Sequence, residues 1–399
     1  MEKVMVAGAS MTQFGKFLDR TIKDMAEEAV TGALADANQT AGDVGMVFFS
    51  NAVAGIITGQ EMVRGQSALR DTGLLGVPLI NVENACASAS SAFYLAWMAV
   101  ASGQVETAIA VGAEKMTHED RSRAFNALAT AVDLAEIDVL KERAGLSTMD
   151  DDRSFFMDLY ALTARSYMEK SGATAEDFAK VTVKNHRHGV ANPKAQFRKE
   201  LTVEEVLASR MIVSPLTLFM CAAIGDGASA VVLTSPERAK KTGRDDIEIR
   251  STILISGEGR ATTHEPASVR AAKMAYEGAG VGPEDINVVE LHDAAATAEL
   301  ITYEELGLCA PGDGPKLLAS GDTALGGRMP VNPSGGLLSK GHPIGATGCG
   351  QLTELVDQLR GRAGARQVEG ARIAMAENGG GYIGSDAAAM SVTILGRTR

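Results

Sequence analysis

Residues 77–101, VPLINVENACASASSAFYLAWMAVA, join two apolar runs through a turn of small residues. The first run, 77–82, predicts a buried strand, and the second, 92–101, predicts a buried helix because it contains no glycine or proline. Cys86 is therefore expected at a strand-to-helix turn, where free backbone N–H groups and the helix dipole favour a thiolate. A buried structural thiol fits the same stretch, so both interpretations stay open at this point.

The composition of the 399 residues is that of an ordinary α/β protein with two or three domains. The formal net charge is -12 and no basic stripe is visible, which argues against nucleic acid as a partner. No apolar run has transmembrane length, and the N-terminus does not fit a secretory signal. The cysteines at 86, 221, 309 and 349 show no CxxC spacing. They predict neither a disulfide framework nor a zinc site, and a cytoplasmic location fits.

Continuous apolar strands alternate with helices along most of the chain, which predicts a parallel sheet covered on both faces. A helix over 21–38 is expected to begin at Thr21 as its N-cap. The segment from 116 to about 219 is more charged and richer in methionine and histidine, which predicts an inserted, more exposed subdomain. Within it, Asp150–Asp152 predicts a solvated turn, and His186 and His188 are expected to be structural histidines instead of metal ligands.

An internal echo indicates two related halves. In each half a turn of small residues precedes a helix, a Gln-Val-Glu sequence and an apolar strand. The first copy runs from Cys86 to Glu114, and the second runs from Gly341 to Glu377.

Three further stretches carry chemical groups. Residues 332–348 (NPSGGLLSKGHPIGATG) predict a glycine-rich loop with His342 ahead of a helix, 290–294 (ELHDA) places His292 at the end of a strand, and 377–382 (ENGGGY) contains three glycines. A cysteine nucleophile needs a base for its proton and donors for the oxyanion formed on attack. A histidine supplies the first, and backbone amides freed by glycine supply the second. Four such stretches in one chain favour the nucleophile interpretation of Cys86.

With these motifs the chain resembles the thiolase superfamily over nearly its full length. The resemblance is carried by NACAS at 84–88, KNHR at 184–187, NPKAQF at 192–197, GDGA at 225–228, HDA at 292–294, residues 332–348 and the glycines at 379–381. His292-Asp293 makes the chain similar to the sterol-carrier-protein-type branch and its bacterial and archaeal relatives. The fold implied is a five-layered αβαβα sandwich of two related halves. Residues 1–118 with 224–245 would form the N-terminal half, 119–223 an inserted loop domain and 246–399 the C-terminal half.

The resemblance also implies roles for individual residues. Cys86 would be acylated to a thioester, His342 would activate it and help bind the thioester oxygen, and His292 would act as an oxyanion donor. The N–H groups of Cys86 and Gly380 would form a second oxyanion hole. Coenzyme A would be a substrate, with no metal and no permanently bound cofactor. The substrate pocket would include Met157, Asn332, Gly345 and Tyr382.

The chain departs from the family pattern where most thiolases carry a second cysteine that moves the α-carbon proton. Those positions are Asn378 and Ala294 here, and neither side chain titrates usefully. Cys349 is interpreted as a helix-packing residue. Three functions therefore stay open. They are thiolysis of an unusual, branched or aromatic β-ketoacyl-CoA or the reverse condensation, retro-aldol cleavage of a β-hydroxyacyl-CoA, and non-catalytic binding of CoA or lipid.

The resemblance further implies partners. Members of the family form homodimers or dimers of dimers, and relatives in this branch associate with a small zinc-ribbon/OB-fold subunit. Both are expectations for this chain, together with acyl-CoA and CoA as ligands and no membrane or nucleic acid.

Overall fold

Eleven strands and fifteen α-helices form over the described residues, 2–143, 154–258 and 265–398, of the computed structural model. The strands are β1 (Met5–Met11), β2 (Met46–Ser50), β3 (Leu79–Val82), β4 (Thr107–Glu114), β5 (Met211–Val213), β6 (Leu216–Thr217), β7 (Gly227–Thr234), β8 (Ile247–Ser256), β9 (Val288–Glu290), β10 (Ile373–Gly380) and β11 (Ala389–Arg397). The predicted turn at Asp150–Asp152 lies outside the described residues.

The helices are α1 (Ile22–Asp36), α2 (Ala54–Thr58), α3 (Arg64–Ala68), α4 (Ser88–Ala101), α5 (Ser122–Leu128), α6 (Ile137–Arg143), α7 (Phe155–Ser171), α8 (Ala175–Val190), α9 (Val203–Ala208), α10 (Pro236–Thr242), α11 (Ala267–Ala279), α12 (Ala296–Glu305), α13 (Gly314–Ser320), α14 (Gly336–Ser339) and α15 (Thr347–Leu359). As expected, α1 is capped by Thr21, which forms a capping box with Asp24. In the described parts of the chain, every helix is too short or too polar to span a bilayer.

Nine strands form one mixed sheet in the order β3-β2-β4-β7-β1-β8-β11-β10-β9. Neighbours are parallel at the two ends of the sheet and antiparallel from β4 to β10. The expectation of a parallel sheet was therefore wrong. Continuous apolar strands show burial on both faces, and that burial is the same whichever way the neighbouring strand runs.

The sheet consists of two halves that meet where β1 pairs with β8, at Met5 and Glu248. Apolar clusters lie outside each half and between them. The cluster between the halves contains α4 and α15, which pack against each other and against inward side chains such as Val6 and Leu395. The outer clusters contain α1 on one side and α11 with α12 on the other. This order of helix and sheet layers is the predicted five-layered αβαβα sandwich.

Strand β3 forms one edge of the sheet and is only partly buried, contrary to the prediction of a buried strand. Its single neighbour is β2, and Ile80 is 38% exposed. The apolar run at 77–82 therefore leaves an unpaired strand edge with exposed apolar side chains. Natural proteins usually cover or blunt such an edge, because it pairs readily with another strand.

Residues 154–223 contain α7, α8, α9 and the small β5–β6 sheet, and α7 and α8 pack on α12 of the C-terminal half. The predicted boundaries of the three domains stay predictions. His186 and His188 lie in α8 and are buried. Nδ1 of His188 lies 3.0 Å from the carbonyl of Asn332, and Nε2 accepts from the N–H of Leu325 at 3.0 Å. Both histidines have structural contacts, as expected.

The neutral form of His188 gives a prediction for acid stability. Burial lowers its pKa to about 3, against 6.5 for a free histidine. A histidine with a lowered pKa stabilises the fold above its unfolded pKa, and this stabilisation is lost as pH falls through the folded value. Between pH 6.5 and 4, the free energy of unfolding of the wild type should fall by a few kcal/mol more than that of His188→Gln, measured by urea denaturation. His118→Gln, at a half-buried histidine, is the control. The prediction would be contradicted if the free energy of unfolding fell equally with pH in the wild type and in His188→Gln.

Candidate active site

Three loops bring Cys86, His292 and His342 together at one point. Cys86 lies in a 3₁₀ turn immediately before α4, His292 follows β9, and His342 lies between α14 and α15. The sulfur and one ring nitrogen of each histidine all lie within 4.8 Å of one another. Because α4 and α15 are neighbours between the two sheet halves, the loops that precede them are adjacent as well.

The turn that carries Cys86 has an unusual backbone. Ala85 has a φ of 48°, a left-handed conformation that is costly for a residue with a Cβ. Side chains hold it in place: Glu83 Oε1 accepts from the N–H of Ala85 at 2.6 Å, and the Ser88 hydroxyl donates to the carbonyl of Ala85 at 2.6 Å. The strained turn fixes the direction in which the thiol points.

Strand β10 ends against this turn at Gly380. A Cβ on Gly380 would lie 2.1 Å from the carbonyl oxygen of Asn84 and 2.6 Å from the nitrogen of Ala87. Only glycine allows this approach, which places its backbone beside the cysteine. Two residues earlier, Asn378 Nδ2 donates to the carbonyl of Cys86 at 3.0 Å. Its Oδ1 is buried and has no partner among the described residues.

The tautomer of His342 follows from its contacts. The hydroxyl of Thr347 donates to the carbonyl of Pro343 at 3.1 Å, so it accepts from Nδ1–H of His342 at 2.7 Å. The proton is therefore on Nδ1, and the lone pair of Nε2 faces the sulfur of Cys86 at 3.3 Å. This is the arrangement that a base needs to accept the thiol proton.

Thr347 acts here as a positioning residue, and its contribution is testable. Thr347→Val keeps the shape of the side chain and removes the acceptor of Nδ1–H, so the imidazole loses its fixed tautomer. We expect kcat to fall by about 10- to 100-fold, with Thr347→Ser close to wild type. The rate of Cys86 alkylation by iodoacetamide should fall in parallel. A valine variant that is as active as the serine variant would contradict the assignment.

His292 presents a second imidazole to the same point. Its ring meets that of His342 edge to face with centroids 5.0 Å apart, and the backbone N–H of His292 donates to Glu377 Oε2 at 2.9 Å. Nε2 of His292 is buried and has no hydrogen-bond partner among the described residues. Burial lowers the pKa of His292 to about 4, so the ring is neutral near pH 7. A neutral ring with a free nitrogen is suited to donate to a ligand oxygen.

The ligand-free site contains a thiol instead of the predicted thiolate. Burial raises the pKa of Cys86 to about 12, and the carboxylates of Glu114 and Glu83 also oppose a negative sulfur. Burial, with the neighbouring His292 and Lys340, holds the pKa of His342 well below its usual value. The loss of hydration outweighs the helix dipole at this position.

A buried polar network fixes the histidine loops from behind. Leu291 N–H donates to Asn332 Oδ1 at 2.9 Å, and Asn332 Nδ2 donates to Glu299 at 2.9 Å. Asp293 accepts from the N–H of Leu337 at 2.7 Å. Both polar groups of the Asn332 amide are thus bound within the protein, which gives this predicted pocket residue a positioning contact beside His292.

The other predicted pocket residues lie around the cluster. Gly345 N–H donates to buried Glu114 at 3.0 Å, beneath the His342 loop. Met157 is half-buried in α7, and Tyr382 packs beside α7, with its N–H donating to the carbonyl of Ala131 at 2.9 Å. Their contact with a substrate stays a prediction.

Sequence reasoning missed Thr347, Glu114 and Glu377. Thr347 could have been identified from the sequence, because the residue stands five positions after His342 in the same motif. Glu114 ends β4 and Glu377 lies within β10, and the two glutamates occupy corresponding places in the two related copies, which was the available signal.

Cys349 does not belong to the cluster. It is fully buried in α15, and its sulfur donates to the carbonyl of Ala89 at 3.6 Å, which is the packing role expected of it. Ala294 and Asn378 stand where a second cysteine was sought. Cys86, His292 and His342 are also close enough to ligate a metal ion, although in this structure the sulfur faces Nε2 of His342.

A half-buried thiol with an imidazole acceptor beside it and a second imidazole facing the same point defines a site suited to acyl transfer through a cysteine thioester. The chain belongs to the thiolase family. Residues 4–237 match the model described as Thiolase, N-terminal domain, and residues 254–397 match Thiolase C-terminal domain-like. It is a thiolase-type acyltransferase, so a binding scaffold without activity is no longer an alternative.

Similar proteins cover most of the chain. The acetyl-CoA acetyltransferase of Methanothermobacter thermautotrophicus is 39% identical over 97% of this chain and 98% of its own. The benzoylsuccinyl-CoA thiolase subunit BbsB of Thauera aromatica is 39% identical over 95% of each chain. Sterol carrier protein 2 of Oryctolagus cuniculus is 38% identical over 95% of this chain and 70% of the relative.

Solved structures agree with the fold. The structure described as Ltp2-ChsH2(DUF35) aldolase superimposes with a TM-score of 0.80 at 29% identity, covering 100% of this chain and 98% of that chain. Human mitochondrial 3-ketoacyl-CoA thiolase superimposes with a TM-score of 0.73 at 18% identity, covering 100% and 99%. These similarities confirm the predicted fold class.

Proposed function

We propose that this protein is a CoA-dependent thiolase that cleaves a β-ketoacyl-CoA, or forms it in the reverse direction, through a thioester on Cys86. The observation that carries the proposal is the lone pair of His342 Nε2, held 3.3 Å from the sulfur by the Thr347 contact on Nδ1. A base within hydrogen-bond distance, in the correct tautomer, is what a cysteine nucleophile requires.

The first half-reaction starts when the sulfur attacks the β-carbonyl carbon and the thiol proton moves to His342 Nε2. The bond between that carbon and the α-carbon breaks, leaving an acyl group on Cys86 and the carbanion of acetyl-CoA or of a substituted acetyl-CoA. Nε2 of His292, buried and unpartnered among the described residues, would donate to the thioester oxygen that carries the carbanion charge. CoA thiol then attacks acyl-Cys86, which releases acyl-CoA and restores the cysteine.

Proton balance is the unusual part of this scheme. The carbanion needs one proton at its α-carbon, and the second cysteine of other thiolases is replaced by Asn378 or Ala294. The proton taken from Cys86 by His342 is the one the carbanion lacks. We propose that it returns from Nε2 of His342 to the α-carbon, directly or through one water. A substrate whose carbanion is stabilised by substitution, such as a branched or aromatic acyl-CoA, suits this route.

The second candidate is retro-aldol cleavage of a β-hydroxyacyl-CoA. Two observations favour it: the missing second cysteine, and the overlap at 29% identity with a structure described as an aldolase. Retro-aldol cleavage needs a base for the hydroxyl proton and no acyl-enzyme. The tight pairing of Cys86 with His342 favours the thiolase, because a lyase has no use for a nucleophilic sulfur.

We also propose coenzyme A as a substrate and a homodimer as the basic assembly. Human 3-ketoacyl-CoA thiolase has been solved with CoA, which supports the first point through the shared fold. The unpaired edge of β3, with Ile80 and nearby Met62 and Val63 exposed, supports the second. The description Ltp2-ChsH2(DUF35) supports an additional small subunit. A cytoplasmic location remains an expectation.

A product assay separates the two reactions. The protein is incubated with CoA and a β-ketoacyl-CoA, or with a β-hydroxyacyl-CoA alone, and products are separated by chromatography with mass detection. The thiolase proposal predicts two acyl-CoA products and one CoA consumed per turnover in the first mixture. Release of an aldehyde or ketone with acetyl-CoA from the second mixture, and no CoA-dependent cleavage in the first, would establish the lyase instead.

A further inference from the structure

A cavity of about 540 Å³ opens beside the cysteine turn, on the side of α2, α3 and the end of α5. This volume lies within the range of about 300 to 1,000 Å³ found for ligand pockets, and an acetyl group fills only a small part of it. We call it the acyl cavity. Its walls include Ala52, Val53, Ala127, Leu128 and Ile344.

The acyl cavity is continuous with the apolar surroundings of the nucleophile. Cys86 packs against the cluster formed by Val53, Ala127 and Ile344, with Leu128 as another partly buried member. Ala85, one residue before the cysteine, lines the cavity directly. The part of the wall that the cavity shares with the surroundings of the sulfur is therefore apolar, and polar and charged side chains contribute to the rest of it.

Two residues with a strained backbone conformation line the acyl cavity. In the described ranges, four residues other than glycine have a positive φ, and two of them, Ala85 at 48° and Val63 at 48°, line the acyl cavity. A positive φ is rare for a β-branched residue such as valine, and strain of this kind concentrates at ligand sites. Val63 is 59% exposed at the rim of the cavity.

The charged groups of the cavity disfavour an anion. Its walls contain the carboxylates of Glu61 and Glu83 and one guanidinium, that of Arg64. Arg64 is committed to the protein: NH2 contacts Glu61 at 3.1 Å, and NH1 donates to the carbonyls of Asn51 and Ala52 at 3.2 Å. Among the described residues of the cavity wall there is no other cation, so a carboxylate on the acyl group would meet Glu83 without a free partner there.

We infer that the acyl cavity receives the group transferred to Cys86 and selects an uncharged apolar acyl group, branched or aromatic, over acetyl and over an acyl group with its own carboxylate. The inference rests on the proposed function, because it assigns the acyl group of that reaction.

The test compares three thioesters: acetoacetyl-CoA, benzoylacetyl-CoA and 3-oxoadipyl-CoA, which leave acetyl, benzoyl and succinyl on the sulfur. For the wild type, kcat/KM with benzoylacetyl-CoA should exceed the other two by about tenfold or more, the discrimination that an apolar pocket provides. Leu128→Trp fills the cavity and should lower benzoylacetyl-CoA turnover by about tenfold while acetoacetyl-CoA turnover changes less than about threefold. Leu207→Trp, at a partly exposed site on α9, is the matched control.

Alkylation of Cys86 can be measured without turnover, and it separates this inference from the thiolase proposal. Alkylation joins the sulfur to the reagent carbon, expels iodide and passes the thiol proton to His342 and then to water. Labelling of Cys86, followed by peptide mass spectrometry, should be faster with iodoacetanilide than with iodoacetate, and Leu128→Trp should remove the advantage of the aryl reagent. If no thioester acylates the wild type but this labelling pattern holds, the thiolase proposal fails and the cavity stands. If Leu128→Trp affects all reagents and thioesters equally, or no more than Leu207→Trp does, the cavity assignment is overturned.

Discussion

Replacement of Cys86 by serine is expected to lower kcat by about 10³-fold or more, the scale found when a nucleophile is removed. The pKa of the thiol is already raised to about 12 by burial, and a hydroxyl at the same place holds its proton still more firmly. His342 then faces a group that it is unable to deprotonate at useful rates. Steady-state kinetics with a β-ketoacyl-CoA and CoA give the measurement.

Cys349→Ser is the matched control for this replacement. Cys349 is fully buried and lies in the helix next to that of Cys86, but it packs away from the cluster. The variant is expected to lose stability, because a hydroxyl replaces a sulfur in an apolar setting, and to keep kcat in the folded fraction. A Cys86→Ser enzyme that turns over within about tenfold of the wild type would rule out the nucleophile.

His342→Gln is expected to have the second largest effect, a loss of about 10² to 10⁴ in kcat, because an amide does not accept the thiol proton. The alkylation rate of Cys86 should fall as well, and its pH dependence should move upward toward the intrinsic value of the buried thiol. The ring of His342 is neutral in the ligand-free enzyme, so the loss of kcat in His342→Gln should persist across pH 6 to 8.

His292→Asn gives the contrast. It removes a donor aimed at the substrate oxygen, so kcat should fall by about 10²- to 10³-fold. Alkylation of Cys86 should change little, since His292 takes no proton from the sulfur. If His342→Gln leaves alkylation unchanged while His292→Asn abolishes it, the two histidines have been assigned in the wrong order.

The sequence allowed accurate prediction of local features. The strand-to-helix turn at Cys86 and the cap of α1 at Thr21 follow from short-range patterns that the tertiary structure does not override. The resemblance to the thiolase superfamily, carried in part by the motif at 341–348, identified His342 as the histidine that would activate Cys86, and the two residues lie 3.3 Å apart. The echo between the two halves explains why α4 and α15 lie side by side and why the loops before them meet.

Long-range features were predicted less well. Strand direction was wrong from β4 to β10, since apolar residues record burial and not orientation. The apolar run at 77–82 was predicted to be buried because the sequence does not show that β3 has a single neighbour. A thiolate was expected at Cys86, whereas burial raises the pKa of this thiol, and the sequence does not show how far the folded chain excludes water from the turn. Thr347 was overlooked although it stands five positions after His342 in the same motif, since its contact with Nδ1 of His342 forms only in the folded loop.

The most direct test of the account is the mass of the protein after mixing with a β-ketoacyl-CoA in the absence of CoA. Without CoA the second half-reaction is blocked, so the wild type should gain the mass of one acyl group, mapped to the peptide containing Cys86 and removed again when CoA is added. Cys86→Ala should gain none. An unmodified wild-type protein that nevertheless cleaves the thioester, or an acyl group found on another residue, would contradict the central claim that a single buried sulfur carries the acyl group.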